Sequence, residues 1–361
     1  ASTAMAATSG TMRAVQYDRY GGGAQGLKHV EVPIPSPKKG EVLIRMEATS
    51  INQVDWKFQK GVARPVMPRK FPFISVFSDR VRDSSVTCML LAGTGYDLAG
   101  EVVQLGSGVS NFKPGDKIIA FNFPNGGGLA EYAVASASLT VPRPPEVSAA
   151  EGACLPIAAV TALRALETVG ISFDDPARGD TAARKNVLVT AASSGVGHFA
   201  VQLARLAGHS VTATCGARNL GFARGLGADE VLDYKTPEGA KLRSPSGRRY
   251  DVVVHCATGV AWSVFRPVLA PGGTVVDLTP GFVAFATSLL QKATFSKKRL
   301  VPLIVSPKKE DIALLAGMVE QGRLKTVIDS RYPLSRAQEG WARSMEGHAT
   351  GKVVVEMGGA E

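Results

Sequence analysis

The residues best suited to binding chemistry lie between Asn186 and Ala207, in the sequence NVLVTAASSGVGHFAVQLARLA. The run from Asn186 to Thr190 predicts a buried strand, and from Val196 onward apolar residues recur at helical spacing. Between them, AASSGVG is a tight turn that closes on two glycines. A strand, a tight turn and a helix start aim backbone amides at a pyrophosphate. The segment therefore predicts half of a dinucleotide-binding unit, with an ordinary strand-to-helix turn as the alternative.

The charged residues after the next predicted strand, 210–215, indicate whether NAD or NADPH would bind. An NAD site usually carries an acidic residue about 20 residues beyond the glycines, where it binds the ribose hydroxyls. No Asp or Glu occurs between Arg184 and Ala228, and Arg218 follows the strand VTATC. Because a guanidinium can pair with a 2′-phosphate, this pattern favours NADPH. A solvated Arg218 in a loop is the alternative.

Ligands of a doubly wound sheet bind beyond the carboxyl ends of its strands. That rule places the nicotinamide half beside HCATG, which follows the fourth strand, and beside the end of the fifth strand. His255 ends the fourth strand and is expected to be structural. The candidate cofactor-binding residues are Ala191, Ser193, Ser194, Gly195, Val196, Gly197, Cys215, Gly216, Arg218, Tyr234, Cys256, Ala257, Thr258, Leu278 and Thr279.

The elements that must position these residues follow from the periodicity. Up to about Pro145, short strands alternate with glycine and proline turns, which predicts a mostly antiparallel, barrel-like unit. Ser148, with Glu151 as its capping-box partner, marks the expected boundary. From Asn186 strands alternate with helices, which predicts a doubly wound parallel α/β sheet. The expected strands of that sheet are 186–190, 210–215, 230–232, 251–255 and 273–278.

Composition excludes several classes of protein. The chain has 361 residues and 45% hydrophobic content, which allows two domains and excludes a mostly disordered protein. No apolar run approaches the roughly 20 residues needed to span a bilayer. Four dispersed cysteines suggest neither a disulfide framework nor a compact zinc site. The net charge of +10 indicates a solvated basic surface or, alternatively, contact with an anionic membrane or phosphorylated ligand, whereas nucleic acid is not expected.

Several segments resemble the zinc-free quinone oxidoreductase branch of the medium-chain dehydrogenase/reductase superfamily, especially its plant chloroplast members. They are SINQVDWK, AGEVVQLGSGVSNFKPGD, GGGLAEYA, VTAASSGVG and GLGADEVLDYK. The resemblance implies a GroES-like β-barrel catalytic domain (12–147 and 305–361), with the C-terminus returning to it, and an NADPH-binding Rossmann domain (148–304). In the G-x-x-G-x-x-G/A spacing common in this branch, Ala191, Ser194 and Gly197 take the three positions, so only the last is glycine.

The resemblance also implies a reaction: zinc-independent, NADPH-dependent reduction of quinones or of the activated double bond of α,β-unsaturated carbonyls, including lipid-derived enones. It places Asn52, Asp55 and Lys57 by the nicotinamide end. Asn52 would bind the substrate oxygen or the cofactor carboxamide, and Asp55 would orient the site or Lys57. A segment that only starts a helix is the alternative, because Asn and Asp are favoured caps. No metal ligands are expected, and a zinc alcohol dehydrogenase is a distant alternative.

Two segments fall outside this pattern. Residues 75–96 form an insertion relative to the family, interpreted as a gene-model artefact or otherwise a lineage-specific loop. Residues 1–11 are expected to be disordered. The resemblance further implies a chloroplast location, at the inner envelope membrane or in the stroma, and a possible homodimer. The competing function is an NADPH-binding peripheral membrane or nucleic-acid-associated protein with little catalytic activity.

Overall fold

The computed structural model describes residues 10–62, 64, 95–173 and 184–358. The atypical insertion expected at 75–96 lies outside the described residues apart from Gly95 and Tyr96. The expected disordered segment 1–11 likewise lies outside them, apart from Gly10 and Thr11.

Fifteen strands and ten α-helices occur among the described residues. The strands are β1 (Thr11–Gln16), β2 (Lys28–Pro33), β3 (Glu41–Ile51), β4 (Asp97–Leu105), β5 (Lys117–Phe121), β6 (Tyr132–Ser136), β7 (Thr140–Pro142), β8 (Asn186–Thr190), β9 (Ser210–Cys215), β10 (Glu230–Asp233), β11 (Tyr250–His255), β12 (Leu269–Asp277), β13 (Arg299–Pro302), β14 (Ile328–Pro333) and β15 (Lys352–Glu356). The helices are α1 (Gln53–Gln59), α2 (Ala149–Gly152), α3 (Val160–Glu167), α4 (Gly197–Leu206), α5 (Leu220–Gly225), α6 (Pro237–Ala240), α7 (Trp262–Phe265), α8 (Phe282–Ala293), α9 (Lys309–Glu320) and α10 (Ala337–Met345).

The chain divides into two compact units. The first comprises Ala1–Ile157, Pro307–Gly322 and Ile328–Glu361, and the second Ala158–Ser306 and Arg323–Val327. The division falls after Ile157, within the helical region that follows the boundary expected at Ser148. Ser148 is nevertheless a cap: its Oγ accepts the N–H of Glu151 at 3.2 Å, and Glu151 accepts the N–H of Ser148 at 3.0 Å.

The first unit is built on a seven-stranded sheet with the order β14-β15-β3-β4-β5-β7, in which β6 also pairs with β3. All its pairings are antiparallel except that between β14 and β15. The prediction that the C-terminus returns to the first domain is confirmed, because β15 pairs with β3. The described residues of this unit bury three apolar clusters, one of which contains Trp341 and Tyr17.

The second unit contains a six-stranded sheet with the order β10-β9-β8-β11-β12-β13, and every pairing in it is parallel. This is the doubly wound order with β8 as the first strand, so the predicted fold class is confirmed. The strands are continuous apolar runs, as expected for a sheet covered on both faces. Parallel pairing brings the carboxyl ends of the strands to one edge.

Two elements differ from expectation. Helix α8 was not predicted, and its large apolar residues, which recur at helical spacing, do not face the core. The helical run Ala149–Glu167 is long and apolar enough to cross a membrane by length and composition, whereas the sequence analysis found no such run. Its most apolar window is 72% buried inside the protein, which is typical of a core helix.

Candidate active site

The turn after β8 has the backbone of a phosphate-binding turn. Ala191 adopts a φ of 47°, the left-handed region that favours glycine, and it stands where the family spacing has its first glycine. Gly197 begins α4, and a Cβ there would lie 2.2 Å from the carbonyl oxygen of Ala191. Glycine is therefore required at 197 for the close approach of helix and strand, whereas at 191 alanine is tolerated under strain.

Ser194 caps the start of α4. Its Oγ accepts the N–H of Gly197 at 3.1 Å, and its carbonyl oxygen accepts the N–H of His198 at 3.2 Å. Among the described residues no acceptor is recorded for the Ser194 hydroxyl proton. Ser193, Gly195 and Val196 complete the turn and are partly exposed.

The ends of β9 and β10 bring the other expected nucleotide residues together. Tyr234 donates its backbone N–H to the carbonyl oxygen of Cys215 at 3.2 Å. Gly216 follows Cys215 in extended conformation, and Arg218 lies exposed in the next turn. A guanidinium thus stands at the place where a carboxylate would select NAD.

Thr190, a residue that the sequence analysis did not single out, joins the ends of β8 and β11. Its Oγ1 accepts the N–H groups of Cys256 and Ala257 at 3.0 and 3.3 Å and lies 2.9 Å from Nδ1 of His255. Thr279 then donates its hydroxyl to the Ala257 carbonyl at 3.2 Å. The only sign of this role in the sequence was that Thr190, a hydroxylated residue, ends the apolar strand β8.

The residues at the carboxyl ends of these strands differ in burial and in chemistry. His255 is buried and its ring packs edge-on against Phe265, 4.8 Å between centroids, so its structural role is as expected. Burial raises the pKa of the Cys215 thiol to about 11 and that of Cys256 to about 12, so both stay protonated near neutral pH. Thr258 and Leu278 follow β11 and β12, and Thr258 is exposed. Every expected cofactor residue therefore lies at one edge of the sheet.

The first unit buries a polar cluster around Asp97. One oxygen of this carboxylate accepts hydrogen bonds from the Ser50 hydroxyl at 2.5 Å and from Nδ2 of Asn52 at 2.8 Å. The Lys352 ammonium, 3% exposed, lies 3.6 Å from the same oxygen and donates to Oδ1 of Asn52. Burial raises the pKa of Asp97, and the Lys352 cation and the donors oppose that shift.

The cluster changes the role expected of Asn52. Its Nδ2 donates to Asp97 and, at 3.2 Å, to the Ser50 carbonyl, while its Oδ1 accepts from Lys352. Both amide hydrogens are thus used inside the protein, and the expected donor to a substrate oxygen is not presented. Asp97 and Lys352 were not predicted as members of the cluster. A Lys beginning an otherwise apolar strand was the available signal.

Asp55 fixes backbone rather than presenting a free carboxylate. Its two oxygens accept the N–H groups of Asn52 at 2.6 Å and of Gly95 at 2.8 Å. The segment therefore does start a helix, α1, which is the alternative left open above. Burial raises the pKa of Asp55 to about 7. The Lys57 ammonium lies 5.9 Å from the centroid of the Trp56 ring.

These residues do not suit zinc. Around Asp97 they supply amide, hydroxyl and ammonium groups, and a buried ammonium beside the carboxylate repels a second cation. Burial raises the pKa of the Cys154 thiol to about 12, and the thiol donates to the Ala150 carbonyl at 3.1 Å. In the described part of the chain, no group of three or more His, Cys, Asp and Glu side chains is placed to hold a metal ion.

Comparison with known proteins places this architecture in a family. Residues 38–145 match the alcohol dehydrogenase GroES-like domain, and residues 226–355 match the zinc-binding dehydrogenase family. The chain is 55% identical over 347 residues to the chloroplast envelope quinone oxidoreductase homolog of Arabidopsis thaliana, covering 96% of this chain and 98% of that protein. The chain belongs to the quinone oxidoreductase branch of the medium-chain dehydrogenase/reductase superfamily.

Other relatives extend the family assignment. The chloroplastic quinone-oxidoreductase QR1 of Triphysaria versicolor is 57% identical, over 96% of this chain and 98% of its own length. The chloroplastic NADPH-dependent alkenal/one oxidoreductase of Arabidopsis thaliana is 30% identical, over 98% and 81%. The quinone oxidoreductase structure from Coxiella burnetii superposes with a TM-score of 0.79 at 28% identity, over 96% and 100%.

Membership of this superfamily makes the protein an oxidoreductase that uses a nicotinamide cofactor. The turn at Ala191–Gly197 fits such a cofactor, because Gly197 gives the close approach and the helix start supplies amides. The chloroplast is its compartment, as the names of the plant relatives indicate. The family resemblance, the fold class and the chloroplast location predicted from the sequence are thereby confirmed.

Proposed function

We propose that this protein is an NADPH-dependent reductase. It transfers hydride, without zinc, to quinones or to the activated C=C bond of α,β-unsaturated carbonyls, including lipid-derived enones. The observation that carries the proposal is the edge of the second unit, where a pyrophosphate turn stands beside Arg218 and no carboxylate follows β9 before Asp229.

The choice of NADPH over NADH rests on charge. A 2′-phosphate requires a cationic partner and is repelled by a carboxylate. Arg218 is exposed just beyond Gly216, so its guanidinium lies at the strand end where a 2′-phosphate would be bound. The exposed Tyr234 ring, with the Lys235 ammonium 6.0 Å from its centroid, offers a second surface for the adenosine half.

The choice of acceptor rests on the relatives and on the chemistry of the polar residues described around Asp97, which do not suit zinc. Relatives above 50% identity are named quinone oxidoreductases, and a more distant one is named an alkenal/one oxidoreductase. Reduction of a carbonyl by zinc enzymes needs a Lewis acid. Conjugate addition of hydride, or reduction of a quinone, instead depends on positioning and on a donor for the developing oxyanion.

Different residues of the chain would bind the cofactor and position the backbone of the site. Bound NADPH supplies the hydride. Amides of the turn before α4 and the Ser194 hydroxyl would hold its phosphate oxygens, and Thr190 fixes the ends of β8 and β11, which are followed by Cys256 and Ala257. Asp55 and Lys352 hold the Asn52 turn rigid in the first unit. The proton that completes the reduction comes from water.

The proposal is tested by steady-state oxidation of NADPH, followed at 340 nm, with a panel of quinones, short enals and long-chain enones. We expect turnover with quinones or enones, a strong preference for NADPH over NADH, and no loss of activity after dialysis against a zinc chelator. Turnover that requires zinc, or that is confined to alcohols and aldehydes, would contradict it.

One observation favours a second candidate, an NADPH-binding protein with little catalysis. Both hydrogens of the Asn52 amide are used inside the protein, so this residue gives the oxyanion no donor. Tight NADPH binding, with no oxidation above the acceptor-free rate across the whole panel, is the result that distinguishes this candidate from a reductase.

A further inference from the structure

Helix α8 turns its polar face toward the core of the second unit and its apolar face away from it. The residues it buries are small or polar: Ala284 and Gln291 are buried, and Thr287 and Ser288 are half-buried. Its large apolar side chains face outward: Phe282, Val283, Phe285, Leu289 and Leu290. These positions recur at helical spacing and so form one face. The hydrophobic effect favours the opposite arrangement, unless something covers this face.

The exposure is extensive. Phe282, Leu289 and Leu290 are 87%, 70% and 64% exposed, and Phe295, in the turn after the helix, is 91% exposed. Phe295 has a φ of 52°, which is unfavourable for an aromatic residue. A contiguous apolar surface of this kind marks an interaction site in a soluble protein.

The helix is anchored to the sheet by its polar face. It packs against β13, and Oε1 of Gln291 accepts the N–H of Leu300 at 2.6 Å. In the described structure the Gln291 Nε2 group is buried with no hydrogen-bond partner. The buried face is therefore an incompletely satisfied polar contact, and the apolar face is the one available for binding.

Charge identifies the partner. From Leu278 to Ser306 the chain has no acidic residue and four cations, Lys292, Lys297, Lys298 and Arg299. Lys292, Lys297 and Arg299 are exposed, and no ion pair is recorded for their side chains within the described residues. Lys298 donates to the Arg266 carbonyl at 2.7 Å.

We propose that the segment 282–299 binds an anionic lipid bilayer, with the apolar face of α8 among the acyl chains and the flanking cations at the headgroup charges. Aromatic and leucine residues on one face, with lysines at its border, are the features of an interfacial helix. Each cation near an anionic surface strengthens the attraction to it. The inference does not depend on the reductase activity.

A second copy of the chain fits this segment less well. In a two-fold pairing of the segment with itself, neither copy has a carboxylate to pair with the four cations of the other. A membrane that carries negative headgroups supplies the opposite charge. Dimerisation through α8 is therefore an outcome that the experiment must separate from lipid binding.

The test is flotation of the full chain with vesicles of phosphatidylcholine alone and of phosphatidylcholine with about 30 mol % phosphatidylglycerol, a content sufficient for a strongly negative surface. The double variant Phe282→Glu/Leu289→Glu removes the apolar face, and Lys297→Gln/Arg299→Gln removes two cations. Val62→Glu, at another exposed apolar residue, is the matched control. Circular dichroism and thermal unfolding check that each variant folds, and sedimentation velocity gives the subunit number.

We expect the wild type and Val62→Glu to float with the anionic vesicles only, and less at high salt. Both double variants should partition at least about tenfold more weakly, since each loses more than about 1.4 kcal/mol of binding. Equal flotation of Phe282→Glu/Leu289→Glu and wild type would overturn the proposal. So would a wild-type dimer that ignores vesicles and is split into monomers by Phe282→Glu/Leu289→Glu, because α8 would then bind a second copy.

Discussion

The Lys352 ammonium donates a hydrogen bond to Oδ1 of Asn52, although 300 residues separate the two in the chain. Lys352 begins β15 and Asn52 precedes α1, so the contact joins the last strand of the first unit to its first helix. Lys352 is also the only cation recorded beside the buried Asp97 carboxylate in the described structure. The fold of this unit and the orientation of the Asn52 amide thus depend on one buried charge.

Replacing Lys352 with Met should destabilise the protein by about 3–5 kcal/mol, because the Asp97 carboxylate is left buried without its counter-ion. Adding Asp97→Asn to Lys352→Met should recover a large part of that loss. Denaturant unfolding measures both. Lys113→Met, at an exposed lysine, is the control and should change the free energy of unfolding by less than about 0.5 kcal/mol. A Lys352→Met variant as stable as Lys113→Met would show that the buried ion pair contributes nothing.

The free energy of unfolding should change with pH because Asp55 has different pKa values in the native and unfolded states. Its pKa is raised from 3.8 in the unfolded chain to about 7 by burial, so between these values the native state holds a proton that the unfolded state has released. The contribution is therefore complete below about pH 4 and is lost as the pH rises through 7. Relative to Asp55→Asn, the free energy of unfolding of the wild type should fall by up to about 1.4 kcal/mol per pH unit over this window. Parallel pH profiles for the two proteins would show that Asp55 is ionised throughout.

The turn before α4 predicts opposite effects for two substitutions. Ala191→Gly should raise the free energy of unfolding by about 0.5 kcal/mol, since relief of the left-handed conformation exceeds the added flexibility of glycine. Gly197→Ala should lower it by at least about 2 kcal/mol, because the new Cβ would overlap the Ala191 carbonyl. Gly221→Ala, in α5, has open space at its Cβ and serves as the control. A stabilising Gly197→Ala would refute the close approach.

Cofactor preference should depend on Arg218. Arg218→Ala is expected to raise the KM for NADPH about tenfold to a hundredfold, the range of a charge-assisted hydrogen bond, and to leave the KM for NADH within about twofold. Arg224→Ala removes another exposed arginine, on α5, and should change neither value. Equal losses for NADPH and NADH would show that Arg218 does not contact the 2′-phosphate.

The doubly wound unit was largely predictable from the sequence, because its strands are apolar runs separated by strong turn signals. Residues 186–190 and 210–215 were predicted with the bounds that β8 and β9 have. The edge that gathers Arg218, Tyr234 and Ala257 follows from parallel pairing alone. Helix α8 was not predicted, although its apolar residues recur at helical spacing, and the spacing alone does not show that this face points away from the core.

The buried cluster was not predictable, because it joins residues from opposite ends of the chain. Periodicity reports which face of an element is buried, whereas the contact between Lys352 and Asn52 depends on the register of β15 against β3. Asn52 was recognised by its resemblance to a family segment, and that resemblance did not reveal that its amide is fully used. The strained backbone of Ala191 was suggested by the family spacing but needed coordinates to be established.

The central claim is the delivery of hydride to a conjugated carbon, and isotope transfer tests it most directly. The protein is mixed with NADPH that carries deuterium at both C4 positions of the nicotinamide and with a soluble enone, and the product is examined by mass spectrometry and NMR. We expect a saturated ketone with one deuterium at the β-carbon. An unsaturated alcohol with deuterium on the former carbonyl carbon, or no labelled product at all, would contradict it.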